Sequence, residues 1–224
     1  MSVVVDDGFV PSPTGRACTD LTDDVAGYVL ANNDGAALTK ARDCLRSAVS
    51  KLNTRNWEWN KVHQLITMVA DTATYTLNDS FRAPRSSHLL NSDGSMIGRL
   101  GYKDPQSFWY DHDKRDEAGS PCYYTVENPH ALGTIRLDVI PSSAWVGQYP
   151  TIKLWYYRRT LPCSESVVSL NVPEEVSDWV AWQAKAHMAA HYDMGKVEYA
   201  RDVADQMWRL LIQDVSRSQV TDEE

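Results

Sequence analysis

A block of short, strand-like segments lies between two stretches with helical periodicity, and this order constrains the fold more than any other feature. Between residues 61 and 170, runs rich in Val, Ile, Thr, Tyr and Trp alternate with turn residues. Apolar residues recur at helical spacing from Ala37 to Leu52 before this block and from Val176 to Val215 after it. The pattern predicts an α+β fold, in which N- and C-terminal helices form a base that carries an inserted antiparallel β-sandwich or small barrel.

The domain organisation follows from the same pattern. We predict an extended arm over residues 1–33 with one short helix near Leu21–Leu30, a discontinuous helical base over 34–60 and 171–216, a β-rich insert over 61–170 and an acidic tail over 217–224. Gly195 interrupts the last helical stretch, so that stretch either kinks or divides into a hairpin of two helices. The predicted strands are Gln64–Val69, Thr72–Leu77, Ser87–Leu90, Met96–Tyr102, Cys122–Glu127, Thr134–Ile140 and Thr151–Tyr157.

The formal net charge of −8 is concentrated at the two ends of the chain. Residues 1–34 carry six acids and one base, residues 222–224 are all acidic, and the stretch between them is neutral. Tight nucleic-acid binding requires clustered Lys and Arg side chains, whereas the bases here are scattered along the sequence. We therefore predict no surface that grips DNA, although an acidic wall past which DNA slides is compatible with the charge. The scattered bases include Arg82, Arg85, Arg158 and Arg159.

The cysteines and the hydropathy pattern predict the compartment. Cys18, Cys44, Cys122 and Cys163 are far apart, without a CxxC pair or a zinc-ligand spacing, and free buried thiols are the expectation. The first residues do not resemble a signal peptide, and no apolar run approaches the length of a membrane span. We expect a soluble protein made in a reducing cytoplasm.

No catalytic or cofactor motif is recognisable. His187 and His191 have the i, i+4 spacing of helical zinc ligands, but Met188-Ala-Ala stands where a zinc protease needs a glutamate. The acidic loop from Asp111 to Glu117 could bind a cation, yet its acids do not follow the order of a calcium loop. These observations predict a protein that is not an enzyme and that holds no metal or cofactor.

The order of the segments resembles the head-to-tail connector, or adaptor, proteins of tailed bacteriophages, including tail tubular and head-completion proteins. Two departures from that pattern are the acidic first arm and Asn78 directly after a Tyr-x-Leu strand, where proline is common. The motifs that carry the resemblance are Asn56-Trp57-Glu-Trp59, the hairpin Leu65–Leu77, Asp104-Pro-Gln-Ser-Phe-Trp109, Gly119-Ser-Pro121-x-Tyr123, the strand ending in Pro141, Leu154-Trp-Tyr-Tyr157, Val172-Pro173-Glu174-Glu175 and the long C-terminal helix.

The resemblance implies a structural virion protein at the portal vertex, or neck, that is assembled in the host cytoplasm. Copies would form a ring, usually a dodecamer, which contacts the portal protein and a tail or nozzle protein. DNA would pass through without specific binding, and no membrane would be involved.

The resemblance also suggests site residues. A terminal helix and tail can fold into clefts of a preassembled portal ring, and large aromatic side chains suit contacts between copies, although core packing is the alternative for each ring. The predicted portal-docking residues are Met207, Trp208, Leu211, Arg217, Asp222, Glu223 and Glu224. The predicted subunit-interface residues are Trp57, Trp59, Trp179 and Trp182.

Two competing classes stay open at this point. In the first, the β-rich insert is a trimeric receptor- or glycan-binding module, with Tyr102, Trp109 and Tyr110 stacking on sugars. In the second, a metal-dependent hydrolase uses His187 and His191. The mass of the assembly distinguishes a trimeric spike from a large ring, and stoichiometric zinc would indicate the hydrolase.

Overall fold

The computed structural model describes residues 15–30, 35–111, 116–128, 133–164 and 167–220, the last seven of these by their backbone alone. These residues form two compact units. The β unit is Lys61–Arg159, and the helical unit takes the described parts of Pro11–Asn60 and Thr160–Glu224. The α+β class predicted from the sequence is confirmed.

Six α-helices and ten strands are present in the described residues. The helices are α1 (Cys18–Val29), α2 (Gly35–Leu52), α3 (Pro105–Asp111), α4 (Ser143–Gln148), α5 (Glu174–Tyr192) and α6 (Val197–Val220). The strands are β1 (Lys61–Thr67), β2 (Thr74–Thr76), β3 (Phe81–Leu90), β4 (Met96–Gly98), β5 (Gly101–Tyr102), β6 (Ala118–Gly119), β7 (Tyr123–Glu127), β8 (Thr134–Leu137), β9 (Ile140–Pro141) and β10 (Thr151–Arg158).

The helical unit is built around α5, which packs against α1, α2 and α6. Because helices surround it, α5 is buried on most of its circumference, whereas α2 buries a single stripe that includes Leu45 and Leu52. The interruption predicted at Gly195 divides two helices. The Asp193 carboxylate accepts a hydrogen bond from the Gly195 amide at 3.2 Å and turns the chain from α5 into α6.

The described part of the predicted arm belongs to the core of the helical unit. Leu21, Val25 and Ala26 on α1 have no exposed surface. An extended arm was expected there with one short helix near residues 21–30, and the helix instead begins at Cys18 and buries a full apolar face. Residues 1–14 and 31–33 of that expectation lie outside the described residues.

The β unit is a curled, mostly antiparallel structure with three sheets of strand orders β1-β10-β3-β4, β2-β8-β7-β5 and β6-β9. The pairs β5–β7 and β6–β9 are short and parallel, unlike the antiparallel pairing that we expected throughout. Alternation along β10 places Ile152, Leu154 and Tyr156 in the core. The side chains between them therefore face away from this core.

Two cysteines differ from the expectation of free buried thiols. Cys18 and Cys163 form a disulfide across a sequence separation of 145 residues, with Cα atoms 5.4 Å apart. Cys44 is a buried free thiol as expected, whereas Cys122 is free and exposed. The prediction of free thiols was wrong because it considered only distance along the sequence. In the structure α1 lies beside the segment that precedes α5, and the Cys18 amide donates a hydrogen bond to the Val168 carbonyl at 2.8 Å.

Candidate docking surfaces

Four tryptophans form one cluster in the helical unit. The rings of Trp57 and Trp59 stack with centroids 4.5 Å apart. Trp208 meets Trp57 edge-on at 5.5 Å and lies 4.6 Å from Trp179. Trp57 and Trp179 are 1% and 0% exposed, so neither ring offers surface to another copy. Burial in their own core therefore removes these two residues from the predicted subunit interface.

The other two predicted interface residues keep part of their surface. Trp59 is half-buried at the margin of the cluster. Trp182 is half-buried between Tyr28 and Tyr199, whose ring centroids lie 5.7 and 5.8 Å away. Contact with a neighbouring copy through Trp59 or Trp182 stays a prediction.

A charged network stabilises the surroundings of Trp182. Lys185 is 7% exposed, and its Nζ lies 4.4 Å from the Trp182 ring centroid and 2.8 Å from the Asp24 carboxylate. Asp24 also pairs with Arg16 at 3.1 Å. A buried ammonium needs such a partner, because an unpaired charge in this position would be costly. The network fixes α1 against α5.

The predicted portal-docking residues on α6 divide into two groups. Met207, Trp208 and Leu211 are partly buried and pack against the core of the helical unit. Leu210 between them is 57% exposed. The side chain of Arg217 and residues Asp222, Glu223 and Glu224 lie outside the described residues.

An exposed aromatic group lies on the β unit. Tyr110 on α3 is 89% exposed, and Tyr102, Trp109 and Tyr123 are exposed to smaller extents. The Arg136 guanidinium lies 5.3 Å from the Trp109 ring centroid. The residues proposed to stack on sugars are therefore at the surface, as that alternative requires.

A second surface of the β unit combines cations with aromatic rings. Across β1 and β10, Lys61 pairs with Tyr157, and His63 pairs with Trp155. The ammonium groups of Lys61 and Lys153 lie 5.6 and 5.0 Å from the Trp155 ring centroid, and the His63 ring lies 4.8 Å away. Cations at these distances are attracted to the indole ring. They hold positive charge over the middle of the sheet.

The face continues across β3 with His88 and past β4 with Arg99, and of these two side chains Arg99 adds positive charge. His88 on β3 pairs with Lys153 on β10. Burial lowers the pKa of His88, and the neighbouring charges of Arg99 and Lys153 lower it further. The sequences of β1, β3, β4 and β10 contain no Asp or Glu. The basic sheet face is defined by Lys61, His63, Arg85, His88, Arg99, Lys153, Trp155 and Tyr157.

This face was missed in the sequence because its cations come from distant segments. The signal was present as an i, i+2 alternation, in Lys61-x-His63 on one strand and Lys153-x-Trp155-x-Tyr157 on another. The sequence analysis predicted strands here but not which strands are neighbours, so it described the bases only as scattered along the sequence. Pairing of β1, β10 and β3 gathers them.

A comparison with protein-family models decides the family. The model of the SU10 adaptor protein matches residues 16–223 and so includes both units. The chain belongs to the SU10 adaptor protein family. No match was found among curated proteins.

Membership of the SU10 adaptor family makes the chain a structural phage protein of the virion that contacts other phage head or tail proteins. The family agrees with the resemblance to phage adaptor proteins that the sequence showed. That resemblance also included head-to-tail connectors in general, which is a broader group. No helix in the described part of the chain is long and apolar enough to cross a membrane.

His187, one of the groups considered for chemistry, has a structural partner in this adaptor. His187 Nε2 lies 3.0 Å from Gln183 Nε2, and its pKa is lowered by burial and then by Lys51, Arg201 and His191. His191 is exposed. In the described ranges, no three His, Cys, Asp or Glu side chains are grouped as metal ligands. Residues 112–115 of the acidic loop lie outside those ranges.

Proposed function

We propose that this adaptor forms a ring between the portal vertex and the tail, completes the head and gives the DNA a passage. The family match over residues 16–223 is the observation that carries the proposal. A connecting protein needs separate surfaces for separate neighbours, and two compact units supply them. A contact that uses different patches on the two partners closes into a ring when its rotation permits, and a dodecamer is the expected copy number.

Portal docking is proposed for the C-terminal end of the chain. Because Met207, Trp208 and Leu211 pack against the helical unit itself, the portal contact would depend on Leu210 and on residues 217–224. Arg217 together with Asp222, Glu223 and Glu224 gives this end charges of both signs, which can pair with charged side chains in a cleft. The tail or nozzle protein would bind elsewhere on the ring.

The proposed role requires no reaction. The adaptor would act through binding alone, without a cofactor, and DNA would pass without specific contacts. The net charge of −8 supports this, since like charge keeps DNA from adhering to the protein. The alternative of a trimeric binding module is not favoured, because the family is one of adaptors.

A deletion of residues 217–224 tests the docking assignment. The truncated protein is expected to fold, with a circular dichroism spectrum altered only by loss of the last turn of α6 and an unchanged unfolding midpoint, but to fail to join portal-bearing heads in a complementation assay. A matched control is Tyr110→Ala, which removes a large exposed side chain from the β unit. Completion of heads by the truncated chain would refute the docking site, and absence of the intact protein from the portal vertex would refute the function.

A further inference from the structure

We propose that the disulfide between Cys18 and Cys163 is a reversible redox lock, opened and closed by exchange with a small anionic thiol of the glutathione class. In the reduced protein the helical core stays folded, and only the segment around Cys163 is released. This inference goes beyond the proposed ring and does not depend on it, because the bond lies within one copy of the chain.

The first observation is a cavity beside the bond. It has a volume of about 190 Å³, and both cysteines line it together with Arg42, Val167 and Val168. Thiol–disulfide exchange needs such access, because the attacking thiolate has to approach a sulfur directly. Cys18 and Cys163 are 7% and 3% exposed, so a small molecule reaches them through this cavity. Its size suits the cysteinyl side chain of a small thiol.

The second observation is the charge of the cavity. Arg42 on α2 belongs to its lining, and the described residues that line it include no Asp or Glu. Glutathione has two carboxylates and one ammonium group, so it carries a net negative charge at neutral pH. A nearby guanidinium raises the local concentration of such an anion and favours the thiolate, which is the attacking form. The cavity therefore favours an anionic thiol over a neutral one.

The third observation is how the segment around Cys163 is held. Its described residues, 160–164 and 167–168, form neither helix nor strand. Asn53 binds Thr160 at one end by two hydrogen bonds of 2.8 and 2.9 Å. At the other end the Cys18 amide donates to the Val168 carbonyl at 2.8 Å. The disulfide ties the middle of the segment to α1 between these two attachments.

Reduction is expected to release this segment without unfolding the helical unit. Val167 packs at the margin of the core, but Leu161 and Val168 are 48% and 77% exposed and bury little apolar surface. Segments with few buried contacts open at low free-energy cost. The chain beyond stays anchored, because Leu170 has no exposed surface and its carbonyl accepts a hydrogen bond from the Gly15 amide at 3.0 Å. The lock is therefore local.

The exchange proceeds in two balanced steps. A glutathione thiolate attacks the sulfur of Cys18, the more exposed cysteine, and Cys163 leaves as a thiolate that takes a proton from water. A second glutathione thiolate then attacks the glutathione sulfur of the mixed disulfide, and Cys18 leaves and is protonated in turn. Two electrons and two protons pass from two glutathione molecules to the protein, and glutathione disulfide is formed. Closing is the reverse reaction, with glutathione disulfide as the oxidant.

A redox titration of the folded protein tests the exchange. The full chain with Cys122→Ser, which removes the exposed free thiol, is equilibrated without denaturant in glutathione buffers of graded ratio. Acid quenching, denaturation and alkylation then allow the thiols to be counted by mass. Cys44 alone should be alkylated after oxidising buffers, and Cys18 and Cys163 should join it after reducing ones. The circular dichroism spectrum should stay the same throughout.

A charge reversal at Arg42 tests the role of the cavity. Arg42→Glu should slow reduction by glutathione about threefold or more, because the anionic thiol is then repelled. Reduction by 2-mercaptoethanol, which is neutral, should change by less than about 1.5-fold, since only the charge of the cavity differs. A matched control is Arg209→Glu, which makes the same change at an exposed position of α6 outside the cavity lining and should leave both rates unchanged.

Hydrogen exchange tests whether the bond acts as a lock. Within the first minutes of labelling, peptides that contain Cys163 should take up deuterium at least about tenfold faster in the reduced protein, whereas peptides from α2 and α5 should stay protected in both states. Equal uptake by the Cys163 peptides in the two states overturns the lock.

The other two experiments can overturn the inference separately. Reduction that occurs only in denaturant, or three thiols at every glutathione ratio, would mean that the site does not exchange in the folded protein. Equal slowing of glutathione and 2-mercaptoethanol in Arg42→Glu would remove the preference for an anionic thiol. None of these results bears on the ring, which is tested by the deletion of residues 217–224.

Discussion

The disulfide between Cys18 and Cys163 gives a prediction whose magnitude can be worked from the structure. It joins the first turn of α1 to the segment that precedes α5, and both lie in the helical unit. The closed loop spans 145 residues, because the β unit lies between the two cysteines in the sequence. In the chain-entropy account, a loop of this length removes about 17 cal/mol/K from the unfolded state, or about 5 kcal/mol at 25 °C.

Measured values for disulfides are usually smaller, at about 2–4 kcal/mol. Neighbouring hydrogen bonds persist after reduction, since the Gly15 amide still donates to the Leu170 carbonyl and the Cys18 amide to Val168. With an m value of about 2 kcal/mol/M in urea, a loss of 2–5 kcal/mol lowers the unfolding midpoint by about 1–2.5 M. Tryptophan fluorescence reports on the helical unit through the cluster around Trp208.

The assay compares oxidised and reduced protein, with thiols counted by mass after alkylation. Cys18→Ser with Cys163→Ser should reproduce the reduced midpoint and should not respond to reductant. The control Cys122→Ser, at an exposed free thiol, should keep the full difference between oxidised and reduced protein. Equal midpoints for samples with two and with four titratable thiols would contradict the entropic reasoning, and four thiols in the protein isolated from virions would show that the bond is absent there.

Three further predictions concern single side chains. Trp208→Ala should lower the free energy of unfolding by about 2 kcal/mol, less than for a fully buried ring, whereas Leu210→Ala at an exposed position should cost under about 0.5 kcal/mol in urea unfolding. The Tyr124 hydroxyl is buried without a hydrogen-bond partner in the described part of the chain, and burial raises the pKa of this phenol. The contribution of the protonated Tyr124 side chain to the free energy of unfolding is complete below about pH 10 and is lost as the pH rises further. Tyr124→Phe should therefore reduce the loss of stability at alkaline pH, whereas Tyr110→Phe should not. Because the pKa of His187 is lowered, the contribution of its neutral ring to the free energy of unfolding is present above about pH 6.5 and is lost as the pH falls. His187→Gln should therefore reduce the decrease in unfolding midpoint that acid causes.

Long periodic elements were predictable because their burial follows a simple repeat. The helical spacing from Ala37 to Leu52 corresponds to α2, Gly35–Leu52. The two short helices α3 and α4 were missed, since six or seven residues hold too little of a 3.6-residue period. Their capping signals were nonetheless in the sequence. Ser142 accepts a hydrogen bond from the Trp145 amide, and Asp104 accepts one from the Ser107 amide.

The role of a tryptophan could not be predicted in the same way. Cores and interfaces both select large rings, so the sequence around Trp57 or Trp179 does not distinguish them. What decides is how many helices surround the position. Trp179 lies on α5, which three helices cover, whereas Trp182 lies three residues later, on a side of α5 that keeps partial exposure. A rotation of 300° along one helix thus separates a core residue from a candidate contact.

Charge has to be counted by unit and by face before it indicates a partner. Between the acidic ends the sequence is neutral, and that average concealed four strands, β1, β3, β4 and β10, whose sequences contain no Asp or Glu. Strand pairing brings Lys153 beside His88 and Leu65, and the alternation along β10 turns Lys153 and Trp155 to the same side. Neither effect is visible in a linear count of bases. A chain with a net negative charge can therefore still gather lysines over one aromatic ring of a sheet, and strand pairing is what shows where they lie.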